Sequence, residues 1–452
     1  EYVELHARSA FSFLRGASTP DTLAHHAALC DLPAIALTDR DGFYGIPRLH
    51  RACAEHGLRP ITGAELTLED GSILPVLVRS RDGYRNLSKL LTKAHLRTQK
   101  GAARIRWHEL AEAANGLVAL SGDHEGPLQK ALKTNDKSHT LETLNRLTET
   151  FGKDCVFIEI QRHLQRGEHH LHSLCIDLAN SQKLPLLATG GVTCATRDHR
   201  EILDLLTCIR LHSHLDNAGR ALSPNAECHL RPPTQMQRLF AHCPEAVSNS
   251  VHLANSLSFT LSDLGYAFPE YAVPPGESME SFLRTVTLAG ARARYSHLSR
   301  KVRSQLNHEL ELICRLGFAG YFLIVWDIVN FCSANNILVQ GRGSAANSAV
   351  CYSLGITACD PIAGELLFER FLSEGRTSWP DIDLDLPSGA RRESVIQELY
   401  RRHSPEGAAM TANVITFRGR SAMREIGKAL NFPQSVLGRF SALFASGDFP
   451  HT

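Results

Sequence analysis

The sequence of 452 residues lacks a long apolar run and lacks an excess of either charge. A membrane-spanning helix needs about 20 consecutive apolar residues. The nearest candidate, residues 321–329, is short and contains Asp327, so we expect no membrane insertion. Lys and Arg (48) balance Asp and Glu (47), which gives no support to a purely electrostatic binder of nucleic acid or membranes. Any anion site must therefore be local.

The 12 cysteines include no Cys-x-x-Cys pair, so the usual zinc clip is absent. Scattered thiols of this kind are typical of reduced cytosolic proteins. The chain opens with Glu1 and shows no basic segment followed by an apolar stretch, so we expect no signal peptide and a cytoplasmic location. The first residue also indicates either processing or a piece of a longer protein.

Up to about residue 210, short apolar runs alternate with amphipathic stretches. Five runs of 4 to 8 residues predict strands, at 34–38, 73–79, 117–121, 156–161 and 184–189. Residues 19–30 and 45–56 predict helices between them. Strands that alternate with helices predict a layered or barrel-like α/β domain.

A change in composition marks a second region. Residues 222–233 are rich in turn residues, and residues 271–277 contain Pro-Pro-Gly, which predicts a linker. The 3-to-4 spacing of apolar residues beyond it predicts an amphipathic helix that reaches Arg315. A second helix over 321–335 and a short strand over 337–339 should follow.

A glycine-rich loop, QGRGSAANS, occupies residues 340–348. It follows the short predicted strand and leads into residues 345–354, which have helical character, so exposed backbone N–H groups could face an anion. The loop is neither a Walker A motif nor a dinucleotide fingerprint. It is therefore either a phosphate site or an ordinary tight turn between a strand and a helix.

An acidic row, PDIDLDL, occupies residues 380–386. In an extended strand Asp381, Asp383 and Asp385 project to one face, because side chains alternate between faces. Three neighbouring carboxylates repel one another unless cations neutralise them, and hard oxygen ligands favour Mg²⁺ over Zn²⁺. The alternative is a solvated edge strand protected by its charge.

The loop and the acidic row together favour one chemistry. The first could bind a triphosphate, and the second could bind the metal ions that bridge its phosphates. Nucleotidyl transfer requires this combination, since its catalysis consists largely of positioning and charge neutralisation.

Two segments resemble the palm domain of bacterial C-family DNA polymerases, the family of the DNA polymerase III α subunit. They are QGRGSAANSAVCYSLGITACDP and LLFERFLSEGRTSWPDIDLDLP. Near the N-terminus, ELHARSAFSFLRGAS and ALTDRDGFYGIPRLHRACAEHGLRPITGAE resemble the PHP (polymerase and histidinol phosphatase) domain of the same family. Within the family, the chain is most similar to the error-prone branch that acts in damage-induced synthesis.

The resemblance assigns roles to several palm residues. It implies that Gly343 and Ser344, with Arg342 beside them, bind the incoming triphosphate. It implies that Asp383 and Asp385 bind two Mg²⁺ ions as the catalytic pair, with Asp381 in support. A third catalytic aspartate is expected after an inserted thumb, beyond Thr452, so we expect this chain alone to be inactive.

The PHP region departs from the metal-binding pattern of the family. Where metal-binding relatives have His-x-His and Thr-Asp-His, this chain has Arg8 and Arg40 in place of the last histidine of each. Four residues of the site remain, namely His6, Asp39, Glu65 and His163. A fixed guanidinium could replace a metal ion's charge by pairing with Asp39 or Glu65. We therefore expect a degenerate PHP site without metal and without exonuclease activity.

The resemblance implies an α/β fold, with a PHP-type (β/α) barrel-like domain followed by an incomplete nucleotidyltransferase-like mixed α/β palm. We expect a PHP core over 1–210, its C-terminal elaboration and linker over 211–276, a partial palm over 277–435 and the start of a thumb over 436–452. Implied partners are primer-template DNA and deoxynucleoside triphosphates, with a sliding clamp and damage-response proteins acting through missing regions. Two alternatives stay open, a PHP-type phosphoesterase or exonuclease and a noncatalytic remnant.

Overall fold

The computed structural model describes residues 1–264, 269–373, 380–404 and 407–443. The strands in these residues are β1 Glu4–Ala7, β2 Ala34–Leu37, β3 Arg59–Thr67, β4 Ile73–Val78, β5 Leu117–Leu120, β6 Val156–Gln161, β7 Leu186–Thr189, β8 Gln340–Arg342 and β9 Asp383–Asp385. The first eleven helices are α1 Pro20–Leu29, α2 Ile46–Glu55, α3 Arg81–Arg97, α4 Trp107–Ala113, α5 Pro127–Lys133, α6 Lys137–Phe151, α7 Glu168–Gln182, α8 Arg200–Arg210, α9 Leu215–Ala218, α10 Pro233–Leu239 and α11 Pro244–Ser256. The later helices are α12 Met279–Arg294, α13 Arg300–Arg315, α14 Ala319–Ala334, α15 Ala349–Ser353, α16 Ala390–His403, α17 Gly419–Ala429 and α18 Gln434–Ala442.

By its contacts the chain divides into two compact units, residues 1–265 with 416–452, and residues 266–415. The first break lies close to the predicted linker. The second break, near residue 416, differs from the predicted domain limits, because the described residues from 416 onward contact the first unit. Helix α17 packs on α8, and its Ala429 shares a small apolar cluster with Cys208 and Ala218. Of the predicted thumb segment 436–452, residues 444–452 lie outside the described residues.

The first unit contains a nearly closed barrel-like sheet. Strands β1 to β7 are neighbours in chain order, parallel at both ends of the sheet and antiparallel around β4. A parallel bridge between Ala7 and Val192 joins the end of β1 to the residues after β7. The Val192 N–H donates to the His6 carbonyl at 2.9 Å. The predicted PHP-type, barrel-like fold is confirmed.

The five predicted strands are confirmed, and two others were missed. The missed strands β1 and β3 carry Glu4, His6 and Glu65, all of which are buried. These polar side chains interrupt the apolar pattern from which a buried strand is usually recognised. The interruption has a structural cause, because the polar residues line the interior at the candidate site described below.

Helices of the first unit form where local signals place them. Thr19 caps the start of α1 by accepting a hydrogen bond from the Thr22 N–H, and a proline occupies the first helical position. Helix α2 buries Ile46 and Leu49 against the core. Helix α11 packs against β7, and the Ser250 hydroxyl on it accepts from the Val3 N–H at 3.1 Å.

The second unit is mostly helical, with one short ladder of β8 and β9. Helix α13 buries the predicted apolar face, Val302, Leu306, Leu310 and Ile313. The predicted strand over 337–339 is wrong, because β8 begins at Gln340. Leu338 is 77% exposed, so this apolar run does not lie in a buried sheet. The predicted helix over 345–354 is shorter, since a 3₁₀ turn occupies 343–347 before α15.

Among the described residues, no single helix has the length and hydrophobicity needed to cross a membrane. In the part of the chain that the structure describes, the pair α13 and α14 passes such a test when taken together, and the two helices are bent by 115° at their junction.

Candidate functional site

The ladder of β8 and β9 brings the glycine-rich loop and the acidic row together. Gln340 pairs with Asp385, Gly341 with Leu384, and Arg342 with Asp383. About 40 residues separate these segments in the sequence, so their contact is a property of the tertiary fold.

Side chains on the acidic row alternate as predicted. Asp381, Asp383 and Asp385 are exposed, whereas the intervening Ile382 and Leu384 pack against the core of this unit. The Ile382 N–H donates to the Tyr321 hydroxyl at 3.0 Å, which holds the start of the row against α14. The three carboxylates therefore share one open face.

Arg342 lies beside this face. Its Nε atom is 3.2 Å from Asp385 Oδ1 and 3.9 Å from Asp383 Oδ2. The three side chains are each more than half exposed, so water screens their interaction and it stabilises the fold only weakly. Arg342 is thus free to exchange its carboxylate partners for another anion at little cost.

The backbone after Arg342 turns sharply. Gly343 has a φ of +69°, a conformation that other residues rarely adopt, and nothing lies within 4 Å of where a Cβ would be. The loop is therefore open to solvent at this point. Ser344 is half-buried, and its carbonyl accepts from the Asn347 side chain at 2.9 Å.

A buried carboxylate, not foreseen from the sequence, anchors the far end of the loop. Glu309 on α13 is fully buried and accepts hydrogen bonds from the Ser348 hydroxyl at 2.7 Å, the Ala349 N–H at 2.9 Å and the Val350 N–H at 3.0 Å. These donors include the first free N–H groups of α15. Burial raises the pKa of Glu309, while these hydrogen bonds oppose the rise.

The interior of the barrel in the first unit holds a second polar cluster, centred on Glu65. This fully buried carboxylate accepts from His6 Nε2 at 2.8 Å, Arg8 Nε at 2.5 Å and Arg40 Nε at 2.7 Å. Burial alone would raise the pKa of Glu65, but Arg8 and Arg40 hold it well below its ordinary value. Of the two partners left open for the arginines, Glu65 is the one the structure contains.

Asp39, the other proposed partner, makes no pair with either arginine in the described residues. It accepts from the Ser9 N–H and hydroxyl, each at 2.7 Å, and from the Ser12 hydroxyl at 2.6 Å. Burial raises the pKa of Asp39, and these serine hydrogen bonds oppose that rise. Of the two partners that the sequence left open, Asp39 is therefore not the one used, because three donors from Ser9 and Ser12 already occupy its carboxylate.

His6 lies between two carboxylates. Its Nε2 faces Glu65, and its Nδ1 is 2.7 Å from Glu159 Oε1. Burial would lower the pKa of His6, but the carboxylates, first of all Glu159, raise it to about 10. An imidazolium at this position uses both ring nitrogens as donors and has no lone pair left for a metal ion.

The two arginines each hold a further carboxylate that sequence reasoning missed. Arg8 Nη2 is 2.6 Å from Asp123 Oδ2, and Arg40 Nη2 is 2.8 Å from Glu125 Oε2. Burial opposes ionisation of Asp123, yet Arg8 keeps its pKa below the ordinary value. Asp123 lies three residues after the end of β5, and a position at the carboxyl end of a barrel strand is the signal that could have identified it.

His163 lies apart from this cluster. It is half-buried, and its Nε2 donates to the Gly190 carbonyl at 2.8 Å. The set whose ligand atoms lie within 4.8 Å of one another is His6, Glu65 and Asp123. These residue types suit a divalent ion, but Arg8 spans Glu65 and Asp123, and His6 donates to two carboxylates. This arrangement of charges therefore fits a guanidinium better than a metal ion.

Comparisons with known proteins agree with both halves of this description. Residues 281–448 match the family described as the bacterial DNA polymerase III alpha NTPase domain, and residues 4–163 match the PHP domain. The chain is 43% identical over 99% of its length to the error-prone DNA polymerase of Mycolicibacterium paratuberculosis and covers 42% of that protein. It is also 43% identical over 95% of its length to the error-prone DNA polymerase of Mycobacterium bovis, of which it covers 41%.

The chain thus spans about two-fifths of the length of these relatives. Among solved structures, a lesion-specific endonuclease from Pyrococcus furiosus aligns with a TM-score of 0.29 and 12% identity, over 43% of this chain and 48% of that one. A score this low does not support a functional comparison.

Proposed function

Because the chain belongs to the bacterial C-family DNA polymerases and matches error-prone members over nearly its whole length, we propose that it is the PHP and partial palm portion of such an enzyme. The reaction is template-directed addition of deoxynucleotides to a primer 3′-hydroxyl. Its setting is damage-induced synthesis and repair in the cytoplasm. Partners that act through other parts of a longer polymerase, such as a sliding clamp, belong to the same proposal.

One observation carries the proposal, namely the pairing of Arg342 with Asp383 across the ladder. It sets the triphosphate-binding candidates Arg342, Gly343 and Ser344 beside the carboxylate pair. A guanidinium and free backbone N–H groups bind phosphate oxygens, and carboxylates bind the cations that accompany them. An exposed acidic row next to an arginine therefore supports a nucleotide site better than a protected edge strand.

Asp383 and Asp385, with Asp381 in support, are the residues proposed to hold two Mg²⁺ ions. Bound magnesium would neutralise charge on the phosphates and lower the pKa of the attacking hydroxyl. The chain's own share is to hold the two carboxylates on one face and to offer Arg342 to the triphosphate. Arg342 leaves the carboxylates when it turns to phosphate, which frees their oxygens for the cations.

A binding experiment tests this assignment. Titration of the 452-residue chain with a deoxynucleoside triphosphate and Mg²⁺ should show a magnesium-dependent site that is lost in the Asp383→Asn, Asp385→Asn double variant and weakened in Arg342→Ala. The exposed Asp154→Asn in the first unit controls for loss of negative charge. Equal binding by the double variant and the control would contradict the proposal.

We also propose that these 452 residues alone do not extend a primer, since they span only about two-fifths of the relatives. The measurement is primer extension by the purified chain, with Asp383→Ala as the baseline. Extension above that baseline would show that this part of the polymerase is sufficient.

The PHP-type phosphoesterase receives less support as an alternative. Both ring nitrogens of His6 are engaged by Glu65 and Glu159, and Arg8 occupies the space between Glu65 and Asp123. We propose a structural PHP domain in which guanidinium groups take the place of metal ions. Zinc or manganese that survives dialysis stoichiometrically and is lost in His6→Ala would contradict it.

A further inference from the structure

A cleft of about 430 Å³ opens beside the buried charge cluster of the first unit. We call it the arginine cleft because five arginines line it, Arg8, Arg15, Arg40, Arg210 and Arg220. His163 and Cys228 also reach its wall. The cleft is made by the polypeptide between β1 and α1, the loop after β5 and the region from α8 to residue 228, all within one unit.

Carboxylates compensate only part of this charge. Asp123 and Glu125 are the acidic residues on the wall, and they are already paired with Arg8 and Arg40. Within the described residues, the side chains of Arg15, Arg210 and Arg220 form neither a hydrogen bond nor an ion pair. The cleft therefore carries at least three guanidinium groups without an anion.

Arg15 and Arg210 are half-buried, so their lack of partners is significant, whereas Arg220 is exposed. Arg210 Nε is fully buried and has no hydrogen-bond partner in the described part of the chain. Folded proteins rarely leave a buried donor unpaired, and such a group calls for an explanation such as an absent ion. Arg15 is half-buried, and burial together with repulsion from Arg40 and Arg210 lowers its pKa. The two side chains thus repel each other across the cleft in the absence of a ligand.

We propose that the arginine cleft binds a phosphate-bearing anion, either a phosphomonoester or an inorganic diphosphate, through Arg15, Arg210 and Arg220. Guanidinium groups match the geometry of phosphate oxygens and bind them in a bidentate manner. A dianion would neutralise two of the three free cations and a trianion all three, whereas a single carboxylate would neutralise only one. The volume is also that of a site for a nucleotide-sized molecule, which exceeds what one small ion fills.

The remaining titratable groups on the wall are compatible with this ligand. His163 Nε2 donates to the Gly190 carbonyl, and a contact with Cys228 helps to raise its pKa against the effect of burial. A protonated His163 adds positive charge to the wall. His124 is exposed at the rim, next to Asp123. All residues that line the cleft belong to the first unit, so the proposal does not depend on polymerase activity.

The test is calorimetric titration of the 452-residue chain with inorganic diphosphate near neutral pH, in the presence of EDTA. EDTA removes divalent ions, so binding through metal ions at Asp383 and Asp385 cannot contribute. We expect one site, weakened roughly tenfold or more in Arg15→Met and in Arg210→Met, since each removes a charge-assisted hydrogen bond. Arg51→Met, at an exposed arginine on α2, should bind as the unaltered chain does.

Two further measurements separate binding from folding and identify the source of the phosphate. Loss of Arg210 removes an unpaired buried donor, so Arg210→Met should melt at an equal or higher temperature than the unaltered chain. Bound diphosphate should also slow alkylation of Cys228, which lines the cleft, without protecting the exposed Cys359. If a 5′-phosphorylated oligonucleotide binds more tightly than both its 5′-hydroxyl form and diphosphate, the ligand is a strand end. If diphosphate binds more tightly than the phosphorylated oligonucleotide, the ligand is a free phosphate compound.

Absence of saturable diphosphate and phosphorylated-oligonucleotide binding would overturn the proposal. So would binding that the Arg15 and Arg210 variants retain at the level of Arg51→Met. If Arg210→Met fails to fold, Arg220→Met, at an exposed position, provides the same comparison.

Discussion

Replacement of Arg8 by methionine tests the idea that a guanidinium substitutes for a metal ion in the barrel. Methionine keeps most of the side-chain length but removes the charge and the hydrogen bonds to Glu65 and Asp123. Glu65 would still have His6 and Arg40. Asp123 would lose the partner of its Oδ2 atom, so the change leaves a buried carboxylate only partly compensated.

The size of the effect follows from burial. The side chains of Arg8 and Asp123 are 8% and 6% exposed, and Glu65 is fully buried. Removal of one partner from a buried pair costs about 3–5 kcal/mol, because the other charge remains buried. We expect Arg8→Met to lower the free energy of unfolding by about 3 kcal/mol. This value is at the low end of that range, since Glu65 keeps two of its donors. The matched control is Arg48→Met, whose pair with Asp21 is about half exposed and is expected to cost under about 1 kcal/mol.

Hydrogen exchange read by mass spectrometry is the appropriate assay, because peptides from β3 and β5 report on the first unit alone. Acid should diminish the difference between Arg8→Met and the unaltered chain. The pKa values of Glu65 and Asp123 are lowered in the folded chain, so their ionised contacts stabilise it above the ordinary carboxyl pKa of about 4 and this contribution is lost as pH falls.

Two results would refute the reasoning. One is a decrease in the free energy of unfolding for Arg8→Met that is no larger than the decrease for Arg48→Met. The other is stabilisation of the unaltered chain by added zinc or manganese, since an ion that binds only the folded state raises the free energy of unfolding. That stabilisation would mean that the cluster accepts a metal ion and that Arg8 moves aside for it.

Three other outcomes are expected. Glu309→Ala should lower the unfolding free energy of the second unit by about 1–3 kcal/mol in denaturant titration, because three buried donors lose their acceptor, whereas the exposed Glu311→Ala on the same helix should have little effect. Stability of the first unit should fall as pH rises from about 6.5 towards 10, since the pKa of His6 is raised to about 10 and its protonated form is the stabilising one; His6→Gln should flatten this part of the profile, and an unchanged slope would rule His6 out as its cause. Arg342→Ala should change the melting temperature little while weakening triphosphate binding, because its carboxylate contacts are exposed; a large drop in melting temperature would mean that the contact is structural.

Local patterns determined much of the fold. The five predicted strands and the helices α1, α2, α13 and α14 follow from apolar periodicity and from capping residues, which act over a few positions of chain. The strands β1 and β3 were not predicted because their inward side chains are polar. The reason for that polarity is visible only in the folded barrel, where these side chains pair with one another. The length of the short strand before the glycine-rich loop depended in turn on pairing with β9.

The sequence by itself determined which residues could carry chemistry, because the alternation at 381–386 places three carboxylates on one face whatever surrounds them. Only the tertiary structure decided their neighbours. It placed Arg342 opposite Asp383, directed Arg8 and Arg40 to Glu65 and not to Asp39, and brought Arg15 and Arg210 to one cleft. Charge interactions act through space over a few ångströms, so which ions are paired and which are left free depends on contacts between segments far apart in the chain.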